Sequence, residues 1–259
     1  MIPCAKASLE GRKALVVGIA NEHSIAWGCA KWLRALGAEV ALTYRTETTR
    51  RFIEPLAAEL EAPIVMPLDV DEPGQLEAVF ERIGGVWGRL DTLVHSFAFA
   101  PKHALRGRVV DVTREDFTTT LGVSCWSFIR MAHLAEPLMS RGGTLFTMSY
   151  HGSRMVVENY KVIGIAKAAL EAAVRYLAAE LGPKGIRVHA ISPGPIATRA
   201  ASGIPEFDEL LAKAQEKAPA HALAGIDDIG AATAFLALDA AKLITGETMY
   251  IDGGYHIID

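Results

Sequence analysis

The sequence predicts an α/β fold: a Rossmann-like, doubly wound, seven-stranded parallel sheet with helices on both faces, in a single domain. Three observations carry this expectation. Seven short apolar runs alternate with helix-like stretches along the chain, the order that builds a parallel sheet through helical crossovers. Several of those runs are apolar at nearly every position, as strands buried on both faces require. The chain has 259 residues, 51% of them hydrophobic, which is enough for one large core. With no internal repeat, low-complexity tract or Pro/Ser-rich linker, residues 1–259 read as one unit.

The elements follow in order. Ala14-Leu-Val-Val17 is the first strand and stops at Gly18; a helix from about Ser24 to Leu36 is ended by Gly37. Glu39–Tyr44 is the second strand, with a helix near Thr48–Glu61. Ile64–Leu68 is the third strand, followed by a helix near Pro73–Ile83, and Leu90–Val94 is the fourth. One helix is expected over Arg114–Ala135. Leu145–Met148 is the fifth strand, and the alanine-rich stretch Val162–Leu181 a long helix. Arg187–Ile191 is the sixth strand. Helices near Phe207–Lys217 and Ile226–Leu238 precede the last strand, Glu247–Ile251. Pro193–Pro205 is the main irregular stretch, and a mobile lid is expected over about 196–218.

Composition narrows the function classes. A formal net charge of −4 argues against a general nucleic-acid or membrane-surface binder. Cys4, Cys29 and Cys125 lie far apart, fit neither a disulfide framework nor a metal cluster, and suggest a reducing, cytoplasmic compartment. The first residues lack the order of a signal peptide, and no apolar run approaches the roughly 20 residues of a membrane span. Eight scattered histidines show no H-E-x-x-H or paired ligand spacing, so metal catalysis is not expected. Ser149 has no G-x-S-x-G elbow, which argues against a hydrolase.

The end of each strand then offers candidate chemistry. Gly18 frees the turn after the first strand, Ser24 is placed to cap the following helix, and Gly28 lets that helix pack close to the sheet. The exposed amides and positive helix end suit a pyrophosphate, although the segment lacks G-x-G-x-x-G. Arg45, after the second strand, could pair with a 2′-phosphate or stack on adenine, while Glu47 would oppose a phosphate. Asp69 either accepts from an adenine amino group or caps a helix. His95-Ser-Phe-Ala-Phe-Ala-Pro101 offers small residues against which a flat ring could lie, and two phenylalanines that could wall an apolar pocket. Tyr160 and Lys167 are seven positions apart. On a continuous helix that is about 10 Å of rise and nearly two turns, so both share one face. A phenol donates to an oxygen gaining negative charge, and an ammonium holds a cofactor sugar. Tyr150 is a candidate pocket residue or a core residue. Gly194–Thr198 could grip a carboxamide or pyrophosphate, or be an ordinary turn.

Together these segments resemble the short-chain dehydrogenase/reductase superfamily, and within it the FabI-type enoyl-acyl carrier protein reductases. The most specific pieces are Gly18-(5)-Ser24-Ile-Ala-Trp-Gly28, Val94-His-Ser-Phe-Ala-Phe-Ala-Pro101, Leu145-Phe-Thr-Met-Ser-Tyr150, Asn159-Tyr160, Gly164-Ile-Ala-Lys167 and Gly194–Gly203. Ordinary superfamily members carry Tyr four places before the Lys. Here that place is Ile163, and Tyr160 supplies the phenol, as in enoyl reductases. The resemblance implies NAD(P)H-dependent reduction of trans-2-enoyl thioesters, with Tyr150, Tyr160 and Lys167 catalytic. It implies a dinucleotide held near Gly18, Ser24, Ile25, Arg45, Asp69, Val70, Phe97, Lys167, Ile196, Ala197, Thr198, Arg199 and Ala200, and a substrate meeting Ala100, Tyr150 and Tyr160. NADH is the expected cofactor, with NADPH open because some relatives carry Gln at the place of Arg45. An acyl carrier protein or coenzyme A thioester and a homotetramer are also implied. Some relatives place basic residues where this chain has Glu206, Asp208 and Glu209, so Lys213, Lys217 or Arg199 would have to meet an acidic carrier. A carbonyl reductase on the same scaffold and a non-catalytic dinucleotide sensor are the competing readings.

Overall fold

The computed structural model describes residues 7–198 and 207–258. Among them, seven strands form one all-parallel sheet in the order β3-β2-β1-β4-β5-β6-β7. They are β1 (Lys13–Val17), β2 (Glu39–Tyr44), β3 (Val65–Pro67), β4 (Thr92–His95), β5 (Gly143–Met148), β6 (Ile186–Pro193) and β7 (Thr248–Ile251). The helices are α1 (Ile25–Ala35), α2 (Glu47–Glu59), α3 (Gln75–Trp87), α4 (Lys102–Arg106), α5 (Arg114–Leu121), α6 (Ser127–Ala135), α7 (Lys161–Leu181), α8 (Phe207–Lys217) and α9 (Ile226–Ala237).

Alternate strand residues feed two apolar cores. On one face Val16, Val40, Leu42, Phe146 and Ile191 pack with Trp27, Leu33, Ile53 and Ile229 from α1, α2 and α9. On the other, Leu15, Leu93, Leu145, Val188 and Ala190 pack with Val79, Phe80, Phe128, Leu170 and Val174 from α3, α6 and α7. The strands are therefore apolar on both sides, which is why they read as continuous rather than alternating runs. Strand order reverses between β1 and β4, and the two pair directly, Val17 opposite His95. In open parallel sheets this switch point opens a crevice at the carboxyl strand ends.

Four local expectations are corrected. Gly28 brings α1 against α9, not the sheet: a Cβ there would lie 2.0 Å from the Ile226 carbonyl oxygen, and one on Gly230 2.3 Å from that of Gly28. The stretch expected as one helix over 114–135 is α5 and α6 joined by a π-helical segment, Gly122–Trp126. A short helix, α4, was not apparent from periodicity, because five residues are too few to display it. α3 begins at Gln75 behind Gly74, whose φ of 82° is the left-handed region, so neither Asp69 nor Pro73 starts it.

Candidate active site

The crevice begins at Gly18. Its φ is 97°, and a Cβ would lie 2.2 Å from the Ser96 carbonyl oxygen. Only glycine lets the β1 and β4 exits approach this closely. Ser24 stands at the N-cap position of α1, but its hydroxyl does not cap the helix. Instead it accepts from the amides of Ala20 (3.0 Å) and Asn21 (3.1 Å), fixing the loop. Helix α1 thus opens at Ile25 with no side-chain cap, and its amino end keeps the positive potential that suits a pyrophosphate.

Arg45 and Asp69 hold each other: Arg45 Nε donates to Asp69 Oδ2 at 2.7 Å. The other Asp69 oxygen accepts from the Asp71 amide at 3.2 Å. Asp69 is therefore not a helix cap, and Arg45 is not a free solvated charge. Val70 is half-buried against the second core. Phe97 packs there too and meets His95 edge-on at 5.3 Å, whereas Phe99 stays exposed. Ile196 packs on the first core, Ala197 is exposed, and the Thr198 amide donates to the Ile196 carbonyl at 2.8 Å. Arg199 and Ala200 lie outside the described residues, as do residues 199–206 of the expected lid.

Tyr160 takes the N-cap position of α7. Its neighbours Asn159 (φ 57°) and Lys161 (φ 43°) both have left-handed backbones. Each such residue costs of order 1–3 kcal/mol, and such strain collects at functional sites. The ring is set by close contacts. A Cβ on Gly152 would lie 2.6 Å from Tyr160 Cδ1, and one on Gly164 2.7 Å from the Gly152 carbonyl oxygen. The Tyr150 ring stands edge-on to it at 5.0 Å. On the other side, Ala100, Ala104, Val162 and Ile163 form a small apolar cluster that Tyr160 packs against. Ile163, at the usual Tyr place of the superfamily, is core. Burial pushes the phenols of Tyr160 and Tyr150 above the ordinary tyrosine range, Tyr160 further, so both stay protonated donors at neutral pH.

Lys167 is 3% exposed, and its Nζ donates to the Met148 carbonyl at the end of β5, at 2.6 Å. Burial pulls its pKa down to about 8, opposed by the Cys125 thiol and by Glu171. The ammonium therefore persists at neutral pH. His95 is fully buried between Thr147 Oγ1 (2.9 Å) and Ser127 Oγ (2.8 Å); burial, then Lys167, lower its pKa to about 3, so it is neutral. The Tyr150 hydroxyl and Ser192 Oγ are buried with no hydrogen-bond partner among the described residues. Buried polar atoms of this kind point to a bound polar group or water. The residues present therefore fit a dinucleotide laid from the amino end of α1 to Lys167. Among the described residues, no cluster of His, Cys, Asp or Glu could hold a metal ion.

Three features escaped sequence reading. Ser124 of the π segment accepts from the Phe99 amide at 3.1 Å and so fixes the loop after β4. His95 was read only as the first residue of the segment after the fourth strand, with no role of its own, whereas it ends β4 and is buried between two hydroxyls. Glu171, 3% exposed, accepts from Ser149 Oγ and Ser153 Oγ, both at 2.6 Å. Its signal was present: it lies four places after Lys167, on the same face of an alanine-rich helix.

Comparison with known proteins agrees with this geometry. The family model described as Enoyl-(Acyl carrier protein) reductase matches residues 18–256. A Rhizobium meliloti protein named enoyl-[acyl-carrier-protein] reductase [NADH] 2 is 46% identical over 249 residues, 96% of this chain and 93% of its own. The Salmonella typhimurium NADH enzyme FabI is 43% identical over 96% of this chain and 95% of its own. The Anaplasma phagocytophilum reductase solved with NAD superimposes with a TM-score of 0.91 at 42% identity, covering 97% of this chain and 94% of that one. The Bacillus cereus reductase solved with NADP+ and an indole naphthyridinone gives 0.94 at 40% identity, over 97% and 98%. With the seven-stranded sheet, the Tyr160–Lys167 pair and these matches along nearly its whole length, the chain belongs to the enoyl-acyl carrier protein reductase family of short-chain dehydrogenase/reductases.

Proposed function

We propose that this protein reduces the C2–C3 double bond of trans-2-enoyl thioesters with NADH, a reductive step of fatty acid biosynthesis. The carrying observation is the part-buried Tyr160 at the N-cap of α7, with the buried Lys167 about two turns into that helix and tied to the end of β5. A bound NADH supplies a hydride to C3. Tyr160, kept protonated by burial, would donate a hydrogen bond to the thioester oxygen as negative charge gathers there, and the resulting enolate would then take a proton at C2 from water, giving the saturated thioester. Such a preorganised donor contributes about 3–4 kcal/mol. Lys167, its ammonium held at the end of β5, would hold the ribose hydroxyls of the bound cofactor. Neutral His95 adds no competing charge. Ala100, Ala104, Val162 and Ile163 keep the phenol side of the pocket apolar.

The Arg45–Asp69 pair supports NADH over NADPH. A 2′-phosphate would have to compete for a guanidinium already held by a carboxylate. For the carrier, Lys102 and Arg106 are exposed on α4, whose inner residue Ala104 packs in the cluster against Tyr160. Of the alternatives offered by the sequence, Lys213 pairs with Glu209. This supports an acidic carrier protein approaching over α4. Charge reversal at Lys102 and Arg106 should raise KM for a carrier thioester and leave a small thioester unaffected; equal effects on both would point to coenzyme A-like substrates. Exposed Trp126, Ile129, Ile165 and Tyr176 on the α6–α7 side support a homotetramer, testable by light scattering. Among the described residues no helix is long and apolar enough to cross a membrane. Buried, unpaired Cys29 and Cys125 support a reducing, cytoplasmic setting.

The deciding assay follows nicotinamide absorbance with crotonyl and longer enoyl thioesters. NADH consumption is expected. No turnover with either nicotinamide at any chain length would contradict the proposal, and turnover of ketones instead would favour the carbonyl reductase reading.

A further inference from the structure

Behind the two reacting groups lies a polar assembly that the mechanism above does not use. Glu171 sits one helical turn beyond Lys167 on the buried face of α7. One carboxylate oxygen accepts from Ser149 Oγ and Ser153 Oγ, each at 2.6 Å, and the other meets Arg154 Nε at 3.5 Å. These three donors bracket the turn Tyr150–Arg154. Gly152, in the middle of that turn, lies so near the Tyr160 ring that a Cβ there would be 2.6 Å from Tyr160 Cδ1. A buried carboxylate with three donors and a lysine one turn away is costly to assemble and fixes geometry in return.

We propose that Glu171 is a positioning residue for this site: it tethers the Tyr150–Arg154 turn against the Tyr160 ring and keeps a negative charge beneath the Lys167 ammonium. The inference rests on the assignment of Tyr160 and Lys167 given above. Lys167 is faced by Cys125 from the π segment, by His95 from β4 and by Glu171 from its own helix. Glu171 is faced by Ser149, Ser153 and Arg154, with Tyr250 and Tyr160 nearby. Of the groups around Lys167, His95 is neutral and the Cys125 thiol is held protonated by burial. Glu171 is thus the anion that retains the Lys167 proton. Arg154, 61% exposed, offsets that anion from the outside.

Two substitutions should therefore move Lys167 in opposite directions. Glu171→Gln keeps an acceptor for both serine hydroxyls but removes the charge, so Lys167 loses its proton at lower pH. Arg154→Met leaves the carboxylate less compensated, so Lys167 holds its proton to higher pH. The readout is the titration midpoint of Lys167 in the free protein, followed by NMR of 13C-labelled lysine ε-carbons, with the basic limb of the kcat–pH profile alongside. Shifts of about one pH unit down for Glu171→Gln and a smaller rise for Arg154→Met are expected. Ser153→Ala, which loosens the tether without changing charge, should lower kcat while leaving the midpoint in place. Midpoints unmoved in both charge variants would overturn the inference, as would a Glu171→Gln protein that loses stability yet keeps the wild-type midpoint. Should Glu171→Gln fail to fold, Arg154→Met at the surface decides alone. The NMR arm needs no substrate, so it is separate from the test of enoyl reduction.

Discussion

The two ends of the ligand crevice are built on opposite principles. On the proposed assignment, recognition at the β1–β3 end would rest on backbone and surface: the Gly18 turn, the uncapped amino end of α1 and the Arg45–Asp69 pair. At the β4–β5–α7 end it would rest on ionisable side chains, the buried His95, Lys167 and Glu171 and the part-buried Tyr150 and Tyr160, each with a shifted titration or several short hydrogen bonds. The first end tolerates variation wherever the backbone path survives. The second fails when one functional group is removed, because a buried polar neighbour then loses its partner. On the proposed assignment, binding is thus distributed and chemistry concentrated.

Four substitutions or titrations would break or sharpen that contrast. The largest effect is expected for Tyr160→Phe. Steady-state kinetics should show kcat down by about 10²–10³, with NADH affinity nearly unchanged by fluorescence titration. A comparable loss of cofactor affinity would erase the division between the two ends. Next, Gly18→Ala should destabilise the fold by about 1–3 kcal/mol in urea unfolding and weaken NADH, because the added Cβ meets the Ser96 carbonyl and φ is positive. An unperturbed midpoint would show that the β1 and β4 exits can separate freely.

The third concerns pH. Lys167 titrates near 8 in the fold, below its ordinary value. Between about pH 8 and 10 the unfolded chain binds the extra proton, so this group's contribution to stability increases with pH across that window. Activity should fall over the same range as the ammonium is lost. Parallel denaturation and kcat profiles that decline together would contradict the buried ammonium. The smallest effect is at the open end. Asp69→Asn should release Arg45 and raise kcat/KM for NADPH several-fold, with NADH altered by less than about 1 kcal/mol, the scale of an exposed ion pair. No gain with NADPH would remove Arg45 from cofactor choice.

Legibility in the sequence followed the same divide. The sheet was readable because its strands carry continuous apolar runs, and α7 because Val162–Leu181 is long and alanine-rich. Tyr160 and Lys167 were readable as a spaced pair, but the shared face expected of a continuous helix was not, because Tyr160 stands at the N-cap and Lys161 after it has a left-handed backbone. Backbone-made features were not. Gly28 was visible as a close-approach glycine, but its partner, Gly230 on α9, lies some 200 places on and leaves no local signal. Ser24 was expected to cap α1, yet it turns back to the loop amides, a choice between two local hydrogen bonds that residue type does not decide. The π segment at Gly122–Trp126 preserves apolar spacing well enough to pass for helix. Glu171 carried a readable position but no readable purpose, because its serine partners come from the turn after β5.

The most direct measurement is a crystal structure of the protein with NADH and a non-reducible 2-enoyl thioester analogue. The account predicts the Tyr160 hydroxyl about 2.7–3.1 Å from the thioester oxygen, the distance at which a donor stabilises developing charge. It also predicts Lys167 Nζ on the ribose hydroxyls, released from or shared with the Met148 carbonyl. A thioester oxygen bound elsewhere, with the Tyr160 hydroxyl turned into the Ala100–Ile163 cluster, would contradict it.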